Sequence, residues 1–510
     1  MATNAVPTST ESVPSWLRNL AGEQFKYAWL GLGFVTALLA VGGRWDIPLA
    51  AWVAPVFLLR FSRLARPVPG LLLVWAVSVA SAIFWGFQLA VPVQLSTLAG
   101  HLAFGTIYTL PFILDRVFAG RLGIAGQLLL FPAAIAAAEY LMATFSPLGT
   151  AYGLKAITQS GNLALLQIIS ITGPYAIGFL IGLIATAANR LWERPNERES
   201  RTALILSGGL VVLAIVLGSA RLAFFPSPTE YVQMAGITPS GKVLRRAEAV
   251  NGGAFPQGPR ALAAAEQDTI RAGFDLVTAE LIESTRRAAR AGAKIVVWSE
   301  TAARTLPEDK PALLARVADV AREEGIYVNV ALGIPFAANE THLIDPSGQL
   351  RWSYEKAHPV PGLEPVPPGD TPVPVVQTPF GRLTNVICFD ADFPALTRVA
   401  ADIMIVPGYD WPEMGRVHTL KMARLRAIEN GYSLLRQDFF GQSAAFDPLG
   451  RVLATQDTTA MAQHLMMVDV PVRGVRTIYN AIGDLFVWLC IGGVFTLIVL
   501  ALRRRSSMAD

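Results

Sequence analysis

The chain has 510 residues, of which 53% are hydrophobic and 16% are charged, and its mean hydropathy is +0.43. Soluble proteins of this length rarely have so apolar a composition, so the sequence is that of an integral membrane protein. The net charge is only +4, and the basic residues lie in short clusters beside hydrophobic runs, which argues against nucleic acid as a partner.

Hydropathy along the chain predicts eight membrane spans, near residues 27–41, 48–61, 71–90, 102–114, 126–145, 163–188, 204–220 and 485–502. The second and fourth are short for a complete crossing. The first begins late and lacks a small-residue cleavage site, so we expect a permanent anchor and not a removed signal peptide. The predicted domains are an N-terminal tail (1–24), a membrane domain of about seven spans (25–224), a soluble block (225–480), a C-terminal membrane helix (481–502) and a basic tail (503–510).

Arginine placement predicts the orientation. Clusters follow the second, fourth, sixth and eighth spans: Arg60, Arg63, Arg66, Arg116, Arg121, Arg190, Arg194, Arg198, Arg201, Arg503, Arg504 and Arg505. Basic residues are enriched in cytoplasmic loops, so we expect both termini inside the cell. Seven crossings then place the soluble block outside the membrane, in the periplasm or its equivalent.

The soluble block alternates helical and strand patterns. Helical patterns at 262–291, 311–324 and 394–400 are each followed by a strand pattern, at 294–299, 327–334 and 403–407. Two turns, Pro346-Ser347-Gly348 and Asp447-Pro-Leu-Gly450, each separate two strand patterns and predict hairpins. We therefore expect a layered α/β domain in which helices cover a mixed sheet.

Three strand-like segments of this block end in residues with complementary chemistry. Ile295-Val-Val-Trp-Ser ends in Glu300, Trp352-Ser-Tyr-Glu ends in Lys356, and Arg382-Leu-Thr-Asn-Val-Ile ends in Cys388. A carboxylate, an ammonium and a thiol that converge from three strand ends supply a base, an oxyanion stabiliser and a nucleophile. The pattern predicts a catalytic site for acyl transfer.

Cys388 is expected to be a free thiol, since the second cysteine, Cys490, lies in an apolar run. No metal-ligand spacing occurs in the sequence, and the proposed chemistry needs no cofactor. Glu300 is the candidate base. The only histidine close to the three segments is His358, which shares a strand end with Lys356. Lys356 and the backbone N–H of Phe389 would stabilise the oxyanion.

The motifs Val297-Trp-Ser-Glu300, Tyr354-Glu-Lys356 and Ile387-Cys388-Phe-Asp resemble, in order and separation, the three catalytic motifs of the nitrilase (carbon–nitrogen hydrolase) superfamily. The segments 406–411 and 418–431 resemble the same family. With seven spans before it and one after, the block is similar to the apolipoprotein N-acyltransferases of bacterial inner membranes. The resemblance implies an α-β-β-α sandwich beside a multi-pass α-helical membrane domain.

The resemblance also implies a reaction. An acyl chain would pass from a phospholipid, through a thioester on Cys388, to the N-terminal amine of a diacylglyceryl-cysteine lipoprotein. Glu364 matches a second glutamate that supports the family's site, and Trp411 is a candidate substrate contact.

Each of these residues also has a structural interpretation. Cys388 alone could be a small buried apolar residue, Glu364 a solvated loop carboxylate and Trp411 a loop anchor. For His418 and the stretch 424–429 we favour a salt-bridged helix face over a site.

The chain also departs from the family pattern. The loop after Lys356 differs, Phe389-Asp390 replaces a usual Tyr-Glu, Phe439-Phe440 replaces paired asparagines, and Ser146-Pro-Leu-Gly-Thr150 replaces a Phe-Pro-Trp signature. Donor and acceptor therefore stay open at this point. The alternatives are a membrane-tethered amidase or nitrilase that uses water as acceptor, and a non-catalytic scaffold; apolar residues near the site, such as Trp411, favour a lipid.

Overall fold

A computed structural model describes residues 23–226, 228–252, 266–459 and 464–506. Most of the predicted N-terminal tail and the end of the basic tail lie outside the described residues. So does the start of the helix predicted from residue 262, which is described from Gln267 onward.

Among the described residues, seven helices of more than ten residues precede the soluble block: α1 (Lys26–Leu38), α2 (Pro48–Leu64), α3 (Pro67–Gln88), α4 (Leu95–Phe118), α5 (Ile124–Phe145), α6 (Tyr175–Glu193) and α7 (Arg198–Phe224). Within the described residues, six helical segments are long and apolar enough to cross a membrane: Pro67–Gln88, Leu95–Arg121, Ile124–Phe145, Tyr175–Glu193, Arg198–Phe224 and Leu485–Arg504. The first two helices, of 13 and 17 residues, are shorter than a full crossing. The multi-pass helical membrane domain predicted from hydropathy is confirmed, whereas the number of crossings stays a prediction.

The predicted sixth span, 163–188, is wrong in its bounds. It comprises two one-turn helices, Leu163–Leu166 and Ile169–Thr172, followed by α6, which begins only at Tyr175. Gly173 has φ +71°, outside the helical region, and Pro174 lacks the N–H that a continuing helix needs. The apolar run is continuous in sequence, but its backbone is not one helix.

Ion pairs join several helix ends at one end of the bundle. Arg63, near the end of α2, donates to Asp115 on α4 (2.7 Å) and to Glu193 at the end of α6 (3.3 Å). Arg190 pairs with Glu197, just before α7, at 2.8 Å. The soluble block begins at the other end of α7, so it lies at the opposite end of the bundle from these arginines.

The soluble block contains two sheets. The first has the order β13-β1-β2-β4-β5-β6, with β3 also paired to β4, and the second has the order β12-β11-β10-β9-β8-β7. The strands are β1 (Tyr231–Ile237), β2 (Ile295–Trp298), β3 (Ala303–Arg304), β4 (Tyr327–Ile334), β5 (Ala338–Ile344), β6 (Leu350–Glu355), β7 (Val375–Thr378), β8 (Gly381–Asn385), β9 (Ile403–Gly408), β10 (Ser433–Asp438), β11 (Gln442–Phe446), β12 (Val452–Asp457) and β13 (Leu465–Pro471). Both predicted hairpins, β5–β6 and β11–β12, are present.

The two sheets pack face to face through β-branched and aliphatic side chains such as Ile295, Val297, Ile403 and Ile405. Helices α8 (Gly241–Val250), α9 (Gln267–Arg290) and α10 (Lys310–Glu324) cover the outer face of the first sheet. The outer face of the second sheet is covered by one continuous helical segment. This segment consists of α11 (Pro412–Val417), one π-helical turn (His418–Ala423) and α12 (Arg424–Asn430). This is the expected α-β-β-α arrangement.

The segment from α11 to α12 also packs against the membrane domain. Its side chains Met414, Val417, Leu425 and Ile428 belong to the same apolar core as residues of the membrane helices. The chain then re-enters the bundle through α13 (Leu485–Ser506). One helical layer therefore separates the second sheet from the membrane helices.

Polar contacts join the same two parts. Lys421 donates to Asp46 and to the carbonyl of Gly43, both at 2.6 Å. Arg424 donates to the carbonyl of Ser160 at 3.0 Å, and Gln167 donates to the carbonyl of Leu449 at 3.0 Å. The bonds to Gly43 and Ser160 satisfy carbonyl groups in the loops between membrane helices.

Candidate active site

The strand ends bring the three predicted residues together. Strands β1, β2 and β4 are parallel, as are β8, β9 and β10, and β6 runs parallel to β4 because each is antiparallel to β5. Glu300 follows β2, Lys356 follows β6 and Cys388 follows β8. The carboxyl ends of these strands meet at one edge of the sandwich, where sites in layered α/β folds commonly form.

Glu300 is buried, with an exposed fraction of 2%, and one of its oxygens is fully engaged. Its Oε1 accepts hydrogen bonds from Lys356 Nζ and from Asn339 Nδ2, both at 2.7 Å. Its Oε2 is buried and has no hydrogen-bond partner among the described residues. A buried carboxylate oxygen without a partner is costly, and this one is sterically available to accept a hydrogen bond or a proton from a neighbouring group.

Lys356 is bound by two carboxylates. Its Nζ donates to Glu300 and also to Glu364, while its side chain is fully buried. Burial alone would lower the pKa of the ammonium, but Glu300, Cys388 and Glu364 together raise it. Lys356 is therefore a fixed positive charge at neutral pH.

Glu364 belongs to the site as its second carboxylate. Burial raises its pKa, the nearby Glu300 raises it further, and Lys356 opposes both. The net effect is a pKa for Glu364 above that of an ordinary glutamate. The structure thus places Glu364 at the lysine and not in a solvated loop.

Cys388 lies in a strained turn. It begins a short 3₁₀ turn, Cys388–Asp392, and has φ +47°, which residues other than glycine seldom adopt. Asp390 holds the turn in place: it accepts hydrogen bonds from Tyr354 Oη (2.9 Å) on β6, from the amide of Ile387 (3.1 Å) and from the amide of His358 (2.7 Å). The same carboxylate therefore fixes the segment after Lys356 and the turn Cys388–Asp392, which we call the nucleophile turn because it carries the candidate nucleophile.

The Cys388 thiol is free, as predicted, and buried. Burial raises its pKa well above the usual range, and Glu300 and Asp410 raise it further, whereas Arg436 and Lys356 lower it. Such a thiol needs a base to ionise. Arg436 Nη2 lies 3.4 Å from the sulfur, and its Nη1 donates to the Cys388 carbonyl at 3.2 Å.

A second group of charged residues, separate from Glu300 and Lys356, surrounds the thiol. Asp410 accepts hydrogen bonds from Arg436 Nη2 and pairs with His418 Nδ1, both at 2.7 Å, and His418 Nε2 lies 3.2 Å from Asp392. Although burial opposes charge on His418, Asp410 and Asp392 raise its pKa to about 10. His418 is therefore an imidazolium at neutral pH and is unsuited to act as the base.

Sequence reasoning missed this group. We interpreted His418 as part of a helix face, but it lies on the π-helical turn facing the site. Asp410 follows β9, so the strand-end rule applied to this strand would have found it, whereas Arg436 lies within β10 and has no such signal. The stretch 424–429 does form a buried ion pair, Arg426 to Glu429 at 3.2 Å, in agreement with the structural interpretation.

A loop of the membrane domain contacts the nucleophile turn. The amide and the hydroxyl of Thr150 both donate to the carbonyl of Asp392, each at 2.8 Å. At the preceding Gly149, φ is +54° and an added Cβ would lie 2.5 Å from the same carbonyl. Only glycine permits so close an approach.

Phe389 and Trp411 lie between the thiol and the membrane helices. Phe389 is buried and makes an edge-on contact with Phe393, with ring centroids 5.4 Å apart. Trp411 Nε1 donates to the carbonyl of Leu89, the residue that follows α3, at 2.5 Å. Trp411 is thus a loop anchor and also part of the cavity wall.

An apolar cavity of about 790 Å³ extends from the thiol into the bundle. Cys388, Phe389 and His418 line one end, and side chains of α3, α4 and α5, including Trp85 and Phe104, line the rest. A volume of this size is typical of sites that bind small-molecule ligands. Among the described residues, no group of three or more His, Cys, Asp or Glu side chains is arranged to hold a metal ion.

Comparison with known proteins agrees with this geometry. Residues 261–479 match the family model described as carbon-nitrogen hydrolase. The chain is 26% identical to an apolipoprotein N-acyltransferase from Geobacter metallireducens over 74% of this chain and 75% of that protein. It is also 26% identical to one from Sinorhizobium medicae over 61% of this chain and 63% of that protein.

A search of solved structures finds an amidase from Nesterenkonia sp. at 19% identity, with a TM-score of 0.38, covering 49% of this chain and 94% of that one. The family model and the curated relatives, together with the layered sheets and the apolar helices, assign the fold. The chain thus combines a domain that matches the carbon-nitrogen hydrolase family, over residues 261–479, with a multi-pass helical membrane domain, and over most of its length it is similar to apolipoprotein N-acyltransferases.

Proposed function

We propose that this protein is an N-acyltransferase that moves a fatty acyl chain from a phospholipid, through a thioester on Cys388, to the N-terminal amine of a diacylglyceryl-cysteine lipoprotein. The observation that carries the proposal is the apolar cavity that joins Cys388 to the space between α3, α4 and α5. A small-amide hydrolase has no use for an acyl-sized cavity lined by membrane helices. The similarity to apolipoprotein N-acyltransferases supplies the donor and acceptor classes.

In the first half-reaction, Glu300 Oε2 takes the thiol proton while the sulfur attacks the ester carbonyl. Lys356 and the backbone N–H of Phe389 stabilise the oxyanion. When the C–O bond breaks, the proton on Glu300 passes to the leaving alkoxide, which departs as a lysophospholipid alcohol.

In the second half-reaction, the neutral amine of the lipoprotein attacks the thioester carbonyl. The amine proton passes through Glu300 to the departing thiolate, so an amide forms and the Cys388 thiol is restored. Each half-reaction needs the same base and the same oxyanion donors. One triad can therefore catalyse the reaction of both substrates in turn.

The purified enzyme incubated with phospholipid alone should gain one acyl mass on Cys388. Hydroxylamine should remove this mass, because it cleaves thioesters, and Cys388→Ser should gain little, because a serine hydroxyl ionises far less readily than a thiol. Intact-mass spectrometry with peptide mapping measures this. The variant Cys490→Ser, which changes the other free cysteine, is the matched control and should be acylated normally.

An acyl mass on a residue other than Cys388 would contradict the triad. Turnover of a short amide by an enzyme that phospholipid never acylates would favour the membrane-tethered amidase instead.

We further propose that the catalytic domain faces the periplasm. The arginine clusters lie at the end of the bundle opposite this domain, and basic residues favour the cytoplasmic side. A cysteine placed at the exposed Ser347, in the β5–β6 hairpin, should therefore react with a membrane-impermeant thiol reagent added from outside the inner membrane. Labelling confined to vesicles whose cytoplasmic face is exposed would reverse this assignment.

A further inference from the structure

Aromatic rings line one end of the apolar cavity that extends from the thiol. Phe104 and Ile107 are the lining residues farthest along α4, and Trp85 of α3 lines the cavity as well. Trp85 and Phe104 both pack against Tyr152, with ring centroids 5.2 Å and 5.1 Å from its own. A fourth ring, Tyr108, meets Tyr152 edge-on at 5.8 Å. We call the rings of Trp85, Phe104, Tyr108 and Tyr152 the aromatic wall.

A smaller cavity lies behind this wall. It has a volume of about 100 Å³, and Tyr108 and Tyr152 line it together with Gly153. Neither Trp85 nor Phe104 is among its described lining residues, and neither tyrosine is among those of the apolar cavity. The aromatic wall therefore separates two spaces inside the bundle.

The rings of the wall are closely packed. Trp85, Phe104 and Tyr152 are buried, with exposed fractions of 3%, 5% and 7%. At Gly153, φ is +88° and an added Cβ would lie 2.0 Å from the Tyr108 hydroxyl, so that ring packs against bare backbone. Because the interior is close-packed, no ring can move aside without displacing its neighbours.

The first turns of α4 lie at the thiol end of the apolar cavity. Trp411, which lines the cavity at this end, bonds to the carbonyl of Leu89, and a short loop joins Leu89 to α4. The α4 residues that line the cavity run from Ser96 to Ile107, a rise of about 16 Å along the helix. One leaflet of a bilayer's hydrocarbon core is about 15 Å thick. The wall therefore lies about one acyl-chain length from the thiol end.

The position of the wall relative to the thiol is fixed by a single loop. Tyr152 belongs to the loop between α5 and α6, in which Thr150 donates two hydrogen bonds to the carbonyl of Asp392 in the nucleophile turn. Two residues of one short loop thus hold the two ends of the cavity. A fixed distance between a nucleophile and a closed end is what a measure of chain length requires.

We propose that the aromatic wall sets the longest acyl chain that the enzyme transfers, with Phe104 as the residue that meets the end of the chain. This inference rests on the proposed acyl transfer from phospholipid. A chain that just reaches the wall buries all its methylenes, each of which adds to binding. A longer chain must bend or displace a packed ring, which is costly. Phe104 is then a specificity residue for the donor chain.

The test compares phospholipid donors that have one head group and dodecanoyl, hexadecanoyl or eicosanoyl chains. Acyl-enzyme formation on Cys388 is timed for the wild type, Phe104→Ala, Phe104→Leu and Phe104→Trp, in the same detergent micelles. The control is Phe87→Ala on α3, because the Phe87 side chain is 73% exposed and lines neither cavity.

The wild type should react more slowly with the eicosanoyl donor than with the hexadecanoyl donor. Phe104→Ala removes one ring of the wall, so the ratio of the eicosanoyl rate to the hexadecanoyl rate should rise about 10- to 100-fold over that of the wild type. Phe104→Leu should raise the ratio less. Phe104→Trp should lower the ratio of the hexadecanoyl rate to the dodecanoyl rate, and Phe87→Ala should leave both ratios unchanged.

Phe104 variants that change the rates of all three donors by one common factor would make this residue structural and overturn the inference. Equal wild-type rates with all three donors would also overturn it, because the wall would then limit nothing. Phe104→Leu keeps most of the apolar volume and decides the question should Phe104→Ala not fold. A wild type that none of the phospholipids acylates would instead refute the proposed function.

Discussion

Lys356→Met should lower the rate of acyl-enzyme formation by about 10³-fold or more, at every pH where the protein stays folded. Loss of a single oxyanion donor typically costs ~3 kcal/mol of barrier. Here the loss is compounded, because Lys356 is also one of the groups that lower the pKa of the Cys388 thiol. Rapid-quench mass spectrometry with phospholipid as donor measures the rate.

This variant also leaves Glu300 and Glu364 buried without their common cation, and the breaking of a buried ion pair costs about 3–5 kcal/mol of stability. The double variant Lys356→Met/Glu364→Gln removes one of the stranded carboxylates and is the matched control. It should recover part of the melting temperature but none of the rate. Near-normal acylation in either variant would show that Lys356 is structural.

Glu300→Gln should slow acylation about 10²- to 10⁴-fold at pH 7, the usual contribution of a general base. The defect should shrink as pH rises. Glu300 raises the pKa of the thiol, so its neutralisation moves the thiol pKa down, and the unassisted thiolate then increases tenfold per pH unit below that pKa. The ratio of variant to wild-type rate is therefore expected to climb from pH 6 to pH 9.

The exposed Glu283→Gln on α9 is a suitable control for the loss of one carboxylate and should follow the wild-type profile. A Glu300→Gln rate that stays low and flat across this range would mean that Glu300 orients Lys356 and does not take the proton. The two triad variants thus differ in their pH profiles, which distinguishes the base from the oxyanion donor.

The convergence of Glu300, Lys356 and Cys388 could be predicted from sequence because strand ends are local signals. β-branched residues identify β2, alternating aromatic residues identify β6, and the run Leu383-Thr-Asn-Val-Ile387 identifies β8. The candidate residue that follows each of these segments is then expected at a sheet edge. Convergence of the three edges then follows from the fold class. The predicted strand over 327–334 is β4 without change, and β2 differs from its predicted range by one residue at each end.

The features of the site that the sequence analysis did not predict depend on contacts between segments far apart in sequence. Thr150 contacts Asp392 across 242 positions, and no local pattern marks that pairing. The roles of Asp410 and Arg436 depend on the approach of their strands to Cys388 in three dimensions. The break in the predicted sixth span was readable at Gly173 and Pro174, but hydropathy averaged over a window conceals it.

The bonds of Thr150 to Asp392 bear on how such proteins can be recombined. The nucleophile turn receives part of its support from a loop between α5 and α6, so the boundary of the functional unit does not coincide with the boundary of the soluble domain. A chimera that exchanges residues 225–480 alone between relatives would pair the turn with a foreign loop. Exchange of residues 146–153 together with the domain preserves the pairing. This loop should therefore be treated as part of the catalytic unit when a chimera is designed.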